Sequence, residues 1–351
     1  MSRLVLFLGT IFILSMGRTI FIPLLVAVFI WYLLNAITAY YRKVLPFKNK
    51  KTKKLKELKF LPKIFDWMAG ILSIATFGGL IYLFITQIRP MFQELAVRLP
   101  DIQNKLLYLG NYISSYFGFS FNPENTIDLP RLAAGIGASA AGIAATFGIV
   151  LIYILFMFIE QSTFRKKLDA LFHNKTQAKK IKYILSSIDE NMKKYMFMKT
   201  FISGITAVLS YFWLNHIGVE FAGVWAFIIF IMNYIPTFGS IVACSLPIIY
   251  ALITSDNMNT PILTAAGLVG LQILLGNIIE PRLTGKTLNL STLAILINLI
   301  FWGVLWGVGG MFFSVPLLVA TFIITAQFDS TRWVAVLLSA NGEIPEKKGD
   351  E

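Results

Sequence analysis

Charge, cysteine and histidine are all scarce in this sequence. Only 14% of its 351 residues are charged, whereas soluble domains carry about 25%. The single cysteine, Cys244, excludes an internal disulfide and a cysteine-based metal cluster. The two histidines, His173 and His216, lie far apart, and we interpret each as a loop or interfacial residue. We therefore expect neither a metal site nor a cofactor.

The motifs of common enzymes and nucleotide-binding proteins are also missing. HExxH, GxSxG and CxxC do not occur, so intramembrane hydrolysis is not supported. Gly285-Lys286-Thr287 matches the end of a phosphate-binding loop, but the position that needs the first glycine of that motif holds Glu280. Because its carboxylate would repel phosphate, nucleotide binding and an ATP-driven pump are excluded. We expect a protein that is not an enzyme.

What the sequence has instead is long apolar stretches. Hydrophobic residues make up 56% of the chain, and several stretches approach or exceed the roughly 20 residues that cross a bilayer core as a helix. The short alternating segments of a β-barrel are absent from the sequence. These features predict an all-α polytopic membrane protein with about eight membrane-embedded helical elements, and membrane lipids as its surroundings.

Positive charge is concentrated in two segments. The net charge is +13, and of the 31 Lys and Arg residues ten lie in 42–63 and ten in 165–199. Loops rich in Lys and Arg stay on the cytoplasmic side, so both segments are predicted to be cytoplasmic, as are both termini. Specific binding of lipid head groups or RNA is the alternative. We favour the topological interpretation and expect no nucleic-acid partner.

The composition changes along the chain divide it into five regions. The first contains two spans that turn near Gly17-Arg18, the basic loop and a third span. The second is amphipathic, with apolar residues every three or four positions, and would lie on the membrane or against another subunit. The predicted regions are 1–90 (N-terminal spans), 91–131 (external helical segment), 132–200 (fourth span and cytoplasmic interfacial helix), 201–328 (transport core) and 329–351 (cytoplasmic tail).

Two parts of the core resemble each other at a distance of 69 positions. Residues 245–251 and 314–320 share the pattern S-x-P, two branched aliphatics, any residue, Ala, and a glycine-containing break precedes each, at 236–239 and 307–310. Chance similarity of apolar sequence is the alternative. As a repeat, the pattern predicts two units, each a span followed by a re-entrant helical hairpin, at 221–254 and 288–328. The units would be inverted relative to each other, as in many secondary transporters.

Polar residues within these apolar helices are the candidate site, because they are costly in a membrane unless they are paired or hydrated. Of the five charged residues between 201 and 328, three lie in the segment EPRLTGK at 280–286. The alternatives are structural: amides that join helices, a simple turn at 235–239, and a salt bridge from Glu280 to Arg282 or Lys286. The candidate substrate and gating residues are Asn233, Pro236, Thr237, Phe238, Gly239, Gln272, Asn277, Glu280, Pro281, Arg282, Gly285 and Asn298.

Three segments also resemble a known family. NYIPTFGSIVACSLP (233–247), EPRLTGKTLNLSTL (280–293) and GVGGMFFSVPLLV (307–319) are similar to the autoinducer-2 exporter family of bacterial inner-membrane permeases, although Pro281 directly follows Glu280 here. The resemblance implies a multispan exporter or permease linked to quorum sensing, assembled as a homo-oligomer. Some members of this family are assigned to sodium/proton antiport.

The leading functional expectation is a secondary transporter that exports a small polar solute, similar to autoinducer-2, by alternating access. The site would lie near the bilayer midplane, with a proton or sodium ion as the coupling ion. Sodium (lithium)/proton antiport is one alternative. A membrane scaffold that does not transport, with its amphipathic helices as the active surface, is the other.

Overall fold

The computed structural model describes residues 2–44, 129–171, 175–255, 257–284 and 289–345, with scattered positions between 68 and 115. Most of the predicted basic loop at 42–63 and much of the external segment lie outside the described residues. The described regular structure is helical apart from one bridge pair, Leu290 and Ser339. The helices are α1 Ser2–Met16, α2 Arg18–Val44, α3 Leu129–Leu171, α4 Lys175–His216, α5 Ala222–Met232, α6 Phe238–Thr254, α7 Asn259–Gln272, a π-helix Ile273–Ile279, α8 Glu280–Thr284, α9 Thr292–Ala326, a 3-10 turn Asp329–Thr331 and α10 Arg332–Leu338.

Several helices are long and apolar enough to cross a membrane. Within the described residues, four helices meet that condition by length and composition, and three shorter apolar helices accompany them. The all-helical, polytopic class predicted from the sequence is therefore confirmed, whereas re-entrance and the inverted repeat stay predictions. The four long stretches are Arg18–Thr38, Gln177–His216, Asn259–Arg282 and Thr292–Ala326, and the shorter ones are Thr146–Glu160, Ala222–Met232 and Phe238–Thr254.

Two of the helix boundaries are informative about the sequence. α1 ends at Met16 and α2 begins at Arg18, so the chain breaks at Gly17, where we predict the first turn. By contrast, the predicted cytoplasmic helix and the span that follows it form one continuous helix, α4. No proline interrupts α4, and a change from amphipathic to apolar sequence does not by itself end a helix.

The chain divides into two compact units. The first contains Met1–Gly79, Gly148–Phe201 and Pro281–Glu351. The second contains Leu80–Phe147 and Ile202–Glu280.

In the first unit, aromatic residues join the amino-terminal helices to α9. Phe29 of α2 packs edge-on against Phe312, with ring centroids 5.0 Å apart, and Trp306 donates a hydrogen bond from Nε1 to the carbonyl oxygen of Leu14 at 2.9 Å. The amphipathic half of α4 is tied to α2, because the Tyr32 hydroxyl donates to Asp189 at 3.0 Å. These contacts make α1, α2 and α9 one packed group.

The core of the second unit surrounds α5 and α6, which we call the first hairpin. Val224, Trp225 and Ile229 of α5 are buried against Ala243 and Tyr250 of α6. At the base of the hairpin, Tyr250 donates its hydroxyl hydrogen to Glu220 Oε2 at 2.8 Å.

Part of the segment predicted to be external also packs against the first hairpin. Met91 is buried in the same core, and Lys105 Nζ donates to the carbonyl oxygen of Ser255, just after α6. This part of the segment therefore covers the base of the hairpin, and its packing on the membrane or against another subunit stays a prediction.

Candidate functional site

The tip of the first hairpin is a tight reversal between two short helices. α5 and α6 have 11 and 17 residues, about 17 and 26 Å of helix. Thr237 has φ 58° and ψ −57°, a backbone conformation that a β-branched residue rarely adopts. A Cβ on Gly239 would lie 1.8 Å from the carbonyl oxygen of Met232. The two chain segments therefore cross so closely that only glycine fits.

One polar side chain is buried at this tip. Asn233 is 6% exposed, and among the described residues its Oδ1 has no hydrogen-bond partner. Buried side-chain acceptors are usually satisfied, so this oxygen is available to a donor from water or a solute. Thr237 and Phe238, by contrast, are exposed, and Pro236 is partly buried.

A second reversal lies inside α9. Gly307 has φ 64° and ψ −145°, and Asn298 Nδ2 donates to the carbonyl oxygen of Ser314 at 2.6 Å. Sixteen residues of continuous helix would separate those two positions by about 24 Å, so the chain folds back at Gly307. We call the two arms, 292–306 and 308–326, the second hairpin.

The second tip repeats the close crossing of the first. A Cβ on Gly310 would lie 2.0 Å from the carbonyl oxygen of Trp302 and 2.9 Å from Cβ of Trp306. At the first tip the corresponding distances are 1.8 Å to Met232 and 2.9 Å to Cβ of Ile235. In both hairpins a glycine early in the second arm thus packs directly on the backbone that ends the first arm.

Asn298 has both ends of its amide occupied. Its Nδ2 donates to Ser314, and its Oδ1 accepts from Trp302 Nε1 at 3.2 Å. Of the two roles considered for this amide, joining helices and contacting a solute, the geometry favours joining the arms of the second hairpin.

The third group of candidates follows α7. Gln272 lies over Gly276, where a Cβ would be 2.9 Å from its Nε2, and among the described residues its buried Oε1 has no hydrogen-bond partner. Asn277 is exposed and Glu280 is partly buried. This arrangement brings Gln272 and Gly276 together and leaves a second unpaired amide oxygen in the second unit.

The helix between Gln272 and Glu280 is a π-helix, a form that often occurs at functional sites. Pro281 directly after it has no N–H to donate, and its ring would clash with the carbonyl four residues earlier in an α-helix. The wider π-helical turn relieves that clash. We therefore attribute the π-helix to the proline of EPRLTGK.

The candidates fall into two groups by unit. The five candidates up to Gly239, together with Gln272, Asn277 and Glu280, belong to the second unit, which ends at Glu280. Pro281, Arg282 and Asn298 belong to the first unit, and Pro281 and Arg282 are exposed. Gly285 and Lys286 lie outside the described residues. Among those that are described, no cluster of three His, Cys, Asp or Glu side chains is able to hold a metal ion.

Sequence reasoning missed a cavity in the second unit. An open cavity of about 740 Å³ lies between α4 and α7. Trp213 forms one wall, where its indole occupies the space left by Gly267 and donates to the carbonyl oxygen of Leu263 at 3.1 Å. The signal in the sequence is the pair of small residues Gly267 and Gly270 within an apolar helix.

Comparisons with known proteins agree with the resemblance found in the sequence. The model of the AI-2E family of transporters matches residues 2–330. The chain is 36% identical to the AI-2 transport protein TqsA of Escherichia coli over 191 residues, 54% of each chain. It is 30% identical over 243 residues to a Borreliella burgdorferi protein with the provisional name of a transport protein, covering 68% of this chain and 66% of that one.

A more distant relative has a different activity in its name. The chain is 27% identical over 222 residues to the sodium-lithium/proton antiporter of Halobacillus andaensis, covering 60% of this chain and 61% of that protein. In all three comparisons the chain spans only about half to two thirds of the relative's length.

Proposed function

The chain belongs to the AI-2E transporter family, and we propose that it is a secondary transporter that exports a small polar solute of the autoinducer-2 type by alternating access. It is a multi-pass bacterial membrane protein. Its relatives bear the names of transport proteins, which supports a transport activity and not an enzymatic one. A link to quorum sensing comes to this chain through TqsA alone.

The observation that carries this proposal is the close crossing shared by the two hairpin tips. Gly239 and Gly310 each pack directly on a backbone carbonyl of the preceding arm. Broken helices in transporters expose their end groups to bind solutes and ions near the bilayer midplane. Two interruptions of one geometry, in parts of the chain that share a sequence pattern, support a pair of re-entrant hairpins related by an inverted repeat.

Two unpaired amide oxygens support a polar solute that carries hydrogen-bond donors. Asn233 Oδ1 and Gln272 Oε1 are buried acceptors without partners among the described residues. Leaving such groups unsatisfied costs about 1–3 kcal/mol each, and a solute with hydroxyl groups would satisfy them. We assign these two amides to solute binding and the tip residues Pro236, Thr237 and Phe238 to the mouth of the site.

Glu280 would be the gating or proton-linked acid. It is partly buried and follows a π-helix, where a change between π- and α-helical turns would rotate the residues that follow. Pro281, Arg282 and Gly285 would belong to the same gating segment, and Asn277 would lie on its exposed side. In this scheme Asn298 sets the shape of the second hairpin without contacting the solute.

Sodium (lithium)/proton antiport is the second candidate, because one relative bears that name. It would use Glu280 as the proton-binding group and a sodium ion as the exchanged cation. Proton flux in vesicles, followed with a pH-sensitive dye while sodium or lithium is added, separates the two candidates. The export proposal expects the dye signal to be the same with and without the protein.

The surroundings of the protein are part of the proposal. We place it in the bacterial inner membrane with both termini in the cytoplasm, because the two segments rich in Lys and Arg then both lie inside. Its exposed apolar surface, which includes Phe212 and Ile262, would face lipid or a second copy of the chain in a homo-oligomer.

Transport in inside-out membrane vesicles tests the proposal, with autoinducer-2 as the probe. We expect uptake that depends on the protein and that is lost in Gly239→Leu and Glu280→Gln. Gly270→Leu is the matched control, because no atom lies within 4 Å of the position of its Cβ. If both site variants transport as well as the unaltered chain at equal expression, the site assignment is wrong.

A further inference from the structure

We call the segment after α9, residues 329–345, the tail. It binds residues 289–291, just before α9, and so bridges the two arms of the second hairpin at their open end. Ser291 N–H donates to the carbonyl oxygen of Leu338 at 2.8 Å, and Ala340 N–H donates to that of Asn289 at 3.0 Å. These two bonds flank the bridge pair Leu290 and Ser339. The chain that leaves the second arm is therefore fastened to the chain that enters the first.

Side chains extend this connection. Asn289 Nδ2 donates to Asn341 Oδ1 at 2.8 Å and to the carbonyl oxygen of Glu343 at 2.9 Å. Asn289 has φ 42°, in the left-handed region that asparagine tolerates better than most residues. Asn289 therefore binds the tail at two residues, Asn341 and Glu343.

A small apolar cluster and a cavity lie beneath the tail. Phe322 and Ala326 of the second arm are buried with Ala335 of α10, and Leu290, Leu338 and Ile344 pack against them. A cavity of about 250 Å³ lies between the tail and the second arm, and Val319, Ile323 and Pro345 are among its lining residues. Val319 is only 2% exposed.

Three features indicate that the connection can open. The apolar cluster is small, and Asn341 and Glu343, which take part in the polar contacts, are exposed to solvent. Segments with few buried apolar contacts and exposed hydrogen bonds open at low free energy. In addition, the family match ends at residue 330, just before α10.

We propose that residues 332–345 are a latch across the open end of the second hairpin, and that the latch must detach from residues 289–291 before the two arms can separate during transport. The proposal rests on the transport function and adds its regulation: the docked tail holds the protein in a closed, resting conformation. Detachment uncovers Val319 and Ile323.

A disulfide across the bridge pair tests the need for detachment. The flanking hydrogen bonds make Leu290 and Ser339 a non-hydrogen-bonded antiparallel pair, with Cα atoms about 4.5 Å apart, within the range of a disulfide. In full-length Leu290→Cys/Ser339→Cys protein, we expect oxidation to abolish autoinducer-2 uptake by inside-out vesicles and reduction to restore it. Each single cysteine variant, treated with the same oxidant, is the control. Equal uptake by the cross-linked and reduced protein would overturn the latch.

Labelling of Val319→Cys with a membrane-impermeant maleimide tests detachment without any transport measurement. We expect Asn289→Ala to speed labelling about tenfold, because it removes two hydrogen bonds that each favour the docked tail several-fold. Ser330→Cys, exposed in the docked state, should label at the same rate in both backgrounds. The native Cys244 is buried and serves as the blank.

The two measurements also separate failure of the latch from failure of the transport function. No uptake by any form, together with faster labelling of Val319→Cys, would refute transport of this solute and leave the latch supported. Uptake with unchanged labelling would refute the latch alone.

Discussion

Substituting alanine for Gly239 should destabilise the first hairpin more than any other single-methyl change at its tip. The new Cβ would lie 1.8 Å from the carbonyl oxygen of Met232, 2.8 Å from its carbonyl carbon and 2.9 Å from Cβ of Ile235. All three are backbone atoms or atoms fixed to the backbone, so a change of side-chain rotamer cannot relieve the clash. The two arms would have to move apart by about 1.5 Å to reach ordinary contact.

The cost of this movement can be estimated. Forcing an extra methyl group into a packed site costs about 1–3 kcal/mol and sometimes more, whereas replacing glycine by alanine in a helix returns about 1 kcal/mol. With a backbone clash this close we expect the upper part of that range, which leaves a net loss of about 1–2 kcal/mol after the helix gain. For a chain of this size the melting temperature should fall by about 1.5–3 °C.

Thermal unfolding of the purified protein in detergent, followed by tryptophan fluorescence, measures this loss. Gly270→Ala is the matched control, because it adds the same methyl group within a helix where no atom lies within 4 Å. Its melting temperature should be unchanged or slightly higher. Equal melting temperatures for Gly239→Ala and Gly270→Ala would refute the close crossing of the two arms.

Three further substitutions test single contacts by the same melting assay. Asn298→Leu removes the tie to the Ser314 carbonyl and should cost about 1–3 kcal/mol, because a buried acceptor loses its donor; Asn298→Gln, if it restores the bond, should cost less. Tyr250→Phe keeps the ring and removes the hydroxyl that donates to Glu220, for about 1 kcal/mol; an unchanged melting temperature would mean that this bond does not hold the base of the first hairpin. Trp306→Phe removes the bond to the Leu14 carbonyl together with part of the ring, and a loss below about 1 kcal/mol would contradict the packing of α1 against α9.

Local signals in the sequence predicted several features of the fold. The break at Gly17 and the reversal at 236–239 each depend on a glycine or proline within an apolar run, whose effect on the backbone is local. The fold class followed from the length and composition of those runs. Features of this kind are visible in a sequence because a few adjacent residues determine them.

Other features depend on contacts between distant residues. The pairing of Leu290 with Ser339 joins positions 49 residues apart, and neither segment has the alternating pattern of a strand. The continuity of α4 was missed because a change of hydrophobic pattern marks a change of surroundings and not the end of a helix. The π-helix at Ile273–Ile279 differs from an α-helix by less than one residue per turn, which seven residues cannot reveal.

The candidate site was predicted in part. The sequence singled out Asn233 and Gln272 as polar residues in apolar helices, and both have an unpaired amide oxygen among the described residues. It did not distinguish them from Asn298, whose amide is occupied at both ends. That distinction needs the position of Ser314, sixteen residues further along the chain.

Reconstitution of the purified chain in liposomes loaded with a trapped binding protein for autoinducer-2 tests the central claim most directly. The proposal predicts saturable entry of autoinducer-2 into liposomes that contain the chain, and none above leakage into liposomes that contain Gly239→Leu. Entry at the same rate into liposomes with the chain, with the variant and without protein would contradict the assignment of this chain as a transporter of that solute.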